Sequence, residues 1–291
     1  MTSVNSKREN NSRPPNIAPQ ATHKLGVIGA GMMGQGIAYV AAKAGIEVVL
    51  KDMTLDAAEK GKAYSRKVSD KQIERGQMTA VDKEALLKRI TPTEQDQDLQ
   101  GCDLIIEAVF ENMPLKQQIT QTTEGYLAVQ GVWATNTSTL PITQLAEASA
   151  SPEQSIGLHF FSPVDRMKLV EIICGKKTSE ATLAKAFDFV EQINKTPIVV
   201  NDALGFFTSR VFGVPLWEAA TLVAEGVHPE RIETLGKDMG MPVGPLTSFD
   251  EISLRLIVEI HDSQIEMGLR DPADDPCPAG TRLANQLLKD D

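Results

Sequence analysis

"KLGVIGAGMMGQGIAYVAAKAGIEVVLKD", residues 24–52, decides the fold. Its apolar run Leu25 to Ile28 is short and unbroken, the pattern of a strand buried on both faces. A turn of Gly29, Ala30, Gly31, Met32, Met33 and Gly34 follows and opens a helix of small residues from about Met33 to Ala44. Gly45 stops that helix, and "EVVLKD" supplies a second strand ending at Asp52. A lone GxGxxG is a weak signal. Here it stands between a strand and a helix, with an acidic residue 18 positions after its last glycine. In that setting it reads as a dinucleotide-binding fingerprint.

Each position has a physical task. Gly29 permits the tight turn, Gly31 lets the backbone approach a pyrophosphate, and Gly34 lets the helix lie close to the strand. The helix N-terminus faces the phosphates. Asp52 would accept hydrogen bonds from the adenosine ribose and repel a 2′-phosphate, while Met53 offers that phosphate no charge. NAD is therefore expected over NADP. A glycine turn in an unrelated α/β protein is the plainer alternative.

Outward from this unit, "DLIIEAVF" (103–110), "GVWATNTS" (131–138), "SIGLHFF" (155–161), "KLVEIIC" (168–174) and "TPIVV" (196–200) read as strands separated by helical segments. That alternation predicts a Rossmann-like, doubly wound, mainly parallel α/β sheet. Residues 54–90 read as one long charged helical stretch. Lys60, Lys67 and Lys71 share a face of it, either as a solvated surface or as a meeting place for a phosphorylated ligand. From about residue 202 the strand pattern ceases and apolar residues recur at helical spacing. The expected organisation is a flexible leader over 1–23, rich in Asn, Ser and Pro, a nucleotide-binding domain over 24–201, and an all-α domain over 202–291, with one helix kinked near Pro215 and another spanning 245–268.

Bulk composition narrows the partners. Of 291 residues, 42% are apolar and 23% charged, as in a globular protein, and a net charge of −10 argues against nucleic acid. No run approaches the ~20 apolar residues of a membrane span, and the amino terminus lacks a secretory core. Cys102, Cys174 and Cys277 are too widely spaced for a metal or disulfide framework, so reduced thiols in the cytoplasm or an organelle matrix are expected.

"GLHFFSPVDRMKLVEIICG", residues 157–175, holds one of only four histidines, His159, and a glutamate, Glu171, among residues that want a core. Burying an ionisable group costs several kcal/mol unless it is paired. A satisfied core histidine and a working dyad are both open from these residues alone.

Several stretches in order, "GVIGAGMMGQGIA", "DLIIEAVFENMPLK", "ATNTSTLPI", "GLHFFSPVDRMKLVEII" and "DALGFFTSRV", resemble the L-3-hydroxyacyl-CoA dehydrogenases of fatty-acid β-oxidation. "RGQMT…RITPT" is similar to the dehydrogenase portion of the multifunctional β-oxidation enzymes, of which this would be a separate or stand-alone piece. The resemblance implies a general base at His159 that takes the proton of the substrate's C3 hydroxyl, paired with Glu171. It implies that Ser138 bonds the reacting oxygen beside the nicotinamide. It also implies that Glu111 and Lys116 contact the cofactor, that Val109 and Phe110 line the adenosine side, and that Asn136 sits at the ligand-gathering end of its strand.

Two residues depart from the family pattern. Ser209 stands where many relatives carry a substrate-contacting asparagine, and Ser162 where some have asparagine near the cofactor. The chain stops at Asp291, where relatives usually continue with a Gly- and Lys-rich segment. The resemblance further implies an acyl-CoA substrate, no metal and a homodimer formed through the helical domain. Two other readings stand beside it. One is an NAD-linked dehydrogenase of another small β-hydroxyacid, disfavoured because "NDALGFFTSRV" lacks the lysine such enzymes often use. The other is a non-catalytic, crystallin-like NAD-binding relative.

Overall fold

β1 (Lys24–Ile28), α1 (Met32–Lys43) and β2 (Glu47–Lys51) form the expected opening unit. The computed structural model describes residues 12–252 and 278–289, with 254, 255, 258, 261, 262, 265, 268, 271 and 273 between them. β1 pairs in parallel with β2, Leu25 opposite Val48 and Ile28 opposite Lys51. Leu25 and Val27 are wholly buried, as are Ile37, Ala38 and Ala41 of α1. Each large apolar side chain so enclosed contributes roughly 1.5–3 kcal/mol.

The charged stretch 54–90 is two helices rather than one. α2 (Leu55–Glu74) ends before Gly76, whose φ of 68° turns the chain. α3 (Ala80–Lys88) starts on a capping box in which Thr79 and Asp82 exchange side-chain and backbone bonds. The hydroxyl and N–H of Thr79 hold the Asp82 carboxyl below its usual range. The Thr79 cap overrides the helical continuity that charge patterning suggested. A strand the sequence reading missed follows, β3 (Ile90–Thr93), pairing with β2 at the sheet's edge, where Pro92 is tolerated.

β4 (Cys102–Glu107), α4 (Met113–Thr123), β5 (Leu127–Thr135), α5 (Ile142–Leu145), β6 (Ser155–Phe160), β7 (Leu169–Cys174), α6 (Glu180–Gln192) and β8 (Thr196–Asn201) complete the unit. The described strands form one sheet in the order β3-β2-β1-β4-β5-β6-β7-β8. Every pairing is parallel except β6 with β7. The order reverses between β1 and β4, so a ligand crevice is expected at their carboxyl ends.

The described part of the leader is hydrogen-bonded to the nucleotide-binding unit. Arg13 grips Asp188 of α6 with two bonds of 2.6 and 2.8 Å, and its other nitrogen donates to the carbonyls of Pro14 and Ile17. Thr22 and Gln192 exchange a pair of bonds, each 2.9 Å. Residues 1–11 lie outside the described residues, as does Cys277.

The chain divides into two compact units, Met1–Ala203 and Leu204–Asp291. The second contains α7 (Thr208–Ala224), which runs through Pro215, with α8 (Pro229–Asp238), α9 (Pro245–Ile252) and α10 (Pro278–Leu287). Leu216, Ala220 and Phe249 form its small core, where Trp217 meets Phe249 edge-on at 5.3 Å. The helix expected over 245–268 falls partly outside the described residues.

Candidate active site

The glycine loop follows β1. Gly29 has φ +95° and donates its N–H to the Lys51 carbonyl at 2.8 Å, and a Cβ there would lie 2.7 Å from the carbonyl oxygen of Ala108. At Gly34 a Cβ would fall 1.7 Å from the Gly29 oxygen, so this glycine is what lets α1 start so close to the strand. Gly31 is the opposite case. Nothing stands within 4 Å of the place its Cβ would occupy, and as N-cap of α1 it supplies no side-chain cap. The start of α1 thus has open room beside Gly31 and no side-chain cap on its first N–H groups, which suits an anion such as a pyrophosphate. Ala30 is buried and Met33 half-buried, whereas Met32, the first residue of α1, is 67% exposed.

Asp52, just after β2, spends its carboxylate locally. One oxygen accepts from the N–H of Ala30 and the other from that of Met53, both at 2.7 Å. It thus ties the tip of β2 to the glycine loop while remaining partly exposed. Just past β4, Val109 is half-buried and Phe110 is 86% exposed.

Beneath Val109 lies a charged cluster that the sequence reading found only in part. Glu107, the last residue of β4, is 1% exposed. Its carboxylate accepts from the Lys116 ammonium at 2.8 Å, the Val109 N–H at 2.7 Å and the Thr135 hydroxyl at 2.8 Å. Lys116, which the resemblance makes a cofactor contact, is 1% exposed. Its ammonium is shared among Glu107, the Val109 carbonyl at 3.3 Å and Glu111 at 3.5 Å. A glutamate ending an apolar strand was the available signal for Glu107, because such a charge must find partners.

Glu111 reaches over to the turn after β5. One of its oxygens accepts from the Thr137 hydroxyl at 2.6 Å, the N–H groups of Ser138 and Thr139 at 2.9 and 3.0 Å, and the Thr139 hydroxyl at 3.2 Å. Ser138 is held by its backbone and left partly exposed. Asn136 takes the Glu107 carbonyl with its N–H and accepts from the Phe160 N–H at 2.9 Å, bracing β5 against β6.

The antiparallel β6–β7 pair explains the second quoted stretch. His159 and Glu171 are directly opposite each other in the ladder, with His159 Nδ1 at 2.7 Å from Glu171 Oε2. Their side chains are 7% and 0% exposed. The carboxylate fixes the Nδ1–H tautomer, which makes Nε2 the ring atom suited to exchange a proton. The Phe161 ring lies 4.5 Å from the imidazole.

The loop beyond, with exposed Ser162, is anchored from two sides. The Tyr64 hydroxyl donates to Asp165 at 2.8 Å, and the Lys195 ammonium donates to the carbonyls of Val164 and Met167 at 2.6 and 2.5 Å. Burial pushes the Lys195 pKa down, and burial with the Asp165 bond pushes Tyr64 up to about 12. Ser209 belongs to the second unit, in the first turn of α7, partly exposed. Lys60 and Lys67 are exposed, and Lys60 pairs with Asp56.

The NAD binding domain of 3-hydroxyacyl-CoA dehydrogenase matches residues 24–203, and the C-terminal domain of 3-hydroxyacyl-CoA dehydrogenase matches residues 205–289. The chain is 40% identical over 239 residues to the fatty acid oxidation complex subunit alpha of Shewanella halifaxensis, covering 82% of this chain and 34% of that one. The corresponding subunit of Idiomarina loihiensis is 39% identical over 245 residues, covering 84% and 35%. The chain thus spans about a third of the length of the curated relatives it matches. Among solved structures, (S)-3-hydroxybutyryl-CoA dehydrogenase from Ralstonia eutropha superposes with a TM-score of 0.85 at 33% identity, covering 93% of this chain and 94% of that one. The 3-hydroxybutyryl-CoA dehydrogenase of Escherichia coli gives 0.81 at 30%, covering 87% and 54%.

Proposed function

The chain belongs to the 3-hydroxyacyl-CoA dehydrogenase family, an NAD-dependent one, and on that footing we propose that it interconverts an L-3-hydroxyacyl-CoA and its 3-oxoacyl thioester. NAD, when bound, supplies the acceptor for the hydride that leaves C3. The chain's own residues supply the rest. Backbone N–H groups of Gly31 to Gly34 meet the pyrophosphate, Asp52 meets the ribose, and Val109 and Phe110 flank the adenosine. Nε2 of His159 takes the proton of the C3 hydroxyl, Glu171 favours the imidazolium that results, and Ser138 donates to the reacting oxygen. Ser162 lies on the cofactor side, and Ser209 donates to the thioester carbonyl.

The observation that carries this reading is the buried 2.7 Å His159–Glu171 pair at the end of β6. Two ionisable groups in an apolar layer cost stability unless matched, and matched in this geometry they form a base with a fixed tautomer. A cytoplasmic or organelle-matrix location, where acyl-CoA and NADH occur together, goes with the reading. So does a homodimer through the helical unit, on which Val211 and Val214 are exposed.

The test is NADH oxidation by acetoacetyl-CoA, run beside free acetoacetate. Turnover with the thioester alone is the expected result. Turnover of the free acid would move the chain to another β-hydroxyacid dehydrogenase, and NADH binding without turnover of either would make it a non-catalytic relative.

A further inference from the structure

We propose that Glu107 is a positioning residue for Ser138, acting through Lys116 and Glu111; this rests on the dehydrogenase reading of Ser138. The Glu111 oxygen that holds the turn accepts four bonds from Thr137, Ser138 and Thr139. Its other oxygen lies 3.5 Å from the Lys116 ammonium, beyond a strong hydrogen bond. Lys116 is drawn the other way, to Glu107 at 2.8 Å, with side-chain exposures of 2% and 1%. Glu107 therefore balances the ammonium and leaves Glu111 to the turn. The same carboxylate fixes Thr135 and Val109, and its main-chain carbonyl fixes Asn136, so strand β5 and the crevice wall share one anchor.

The arrangement carries a prediction that a simple packing role does not. In Glu107→Gln the amide no longer balances the buried ammonium, whose remaining anionic partner is Glu111. Lys116 then closes on Glu111 and draws it off the turn. Removing the ammonium as well, in Glu107→Gln with Lys116→Met, returns Glu111 to Ser138. The second substitution should repair the first.

Two readouts are taken on the full chain: kcat with acetoacetyl-CoA and NADH, and amide hydrogen exchange at Ser138 and Thr139, whose N–H groups donate to Glu111. Glu107→Gln should lower kcat by about 10–100-fold, the scale of a small misplacement at a reacting centre, and speed exchange at both amides. The double variant should recover kcat by about tenfold over the single and slow the exchange again, a coupling expected of groups in one network. A double variant as impaired as Glu107→Gln, or worse, overturns the proposal.

If Glu107→Gln does not fold, Glu107→Asp keeps the charge but withdraws the carboxylate from Lys116 by one methylene, leaving the ammonium free to close on Glu111. It should speed exchange at Ser138 and Thr139, and unchanged exchange there overturns the proposal equally. Should the wild-type chain turn over no acyl-CoA, the exchange readout still judges the relay, so the two failures are told apart.

Discussion

Gly31→Ala and Gly34→Ala add the same methyl group to the same loop, three residues apart. At Gly34 the methyl would sit 1.7 Å from the Gly29 oxygen and 3.2 Å from a Val27 methyl. Both obstacles belong to the strand side, so the start of α1 must move by more than about 1 Å. Overpacking of this kind costs about 1–3 kcal/mol, and rigid backbone puts this site at the upper end. At about 2–4 °C per kcal/mol for a unit of this size, melting should fall by about 6–12 °C. At Gly31 the methyl meets nothing within 4 Å, and φ of −68° suits alanine. Stability should stay within about 0.5 kcal/mol. The space it fills is where a pyrophosphate would approach, and losing one charge-assisted hydrogen bond, about 1.5–3 kcal/mol, weakens NADH binding by about 10–150-fold. Calorimetric melting and fluorescence titration with NADH on both variants give the answer. A Gly31→Ala protein that binds NADH like the wild type, or a Gly34→Ala protein that melts like it, refutes the assignment of the loop.

Three further outcomes follow from single side chains. Asp52→Ala should weaken NADH and narrow its advantage over NADPH, because the carboxylate both repels a 2′-phosphate and holds the Ala30 N–H; titration with each nucleotide measures the ratio. Ser209→Ala should lower kcat/KM by about 1–2 kcal/mol in steady-state assays if the hydroxyl donates to the thioester, and an unaffected enzyme would assign it a structural part. Burial raises the Tyr39 phenol from 10.0 to about 12, so its ionisation leaves the fold untouched below pH 10 and costs stability as pH climbs towards 12. That hydroxyl is buried without a partner, so Tyr39→Phe should gain about 1 kcal/mol in urea melts at pH 7 and unfold at higher pH.

The glycine loop and the strands around it were legible because their signals are local. A strand, a glycine turn and an acidic strand tip lie within residues 24–52 of one another. What escaped depends on contacts distant in sequence. β3 is four residues with a proline in it, and only pairing with β2 makes it a strand. The reversal of β7 puts Glu171 opposite His159, and no period in the sequence states strand direction. The leader reads as disordered by composition, yet Arg13 finds Asp188 across 175 positions. Glu107 is the instructive omission. The reasoning that singled out His159, an ionisable group in an apolar strand, applies equally to "DLIIEAVF", where the partner is Lys116, read from the resemblance only as a cofactor contact.

The central claim is that His159 and Glu171 act together on a proton, and kcat of Glu171→Gln tests it most directly. The amide keeps the shape and a contact to Nδ1 but removes the charge that favours imidazolium. With saturating NADH and acetoacetyl-CoA, the folded variant should keep its cofactor affinity while kcat falls by about 10²–10⁴-fold, the worth of a positioned acid–base group. Undiminished turnover together with a lowered melting temperature would make the pair a core support and contradict the account.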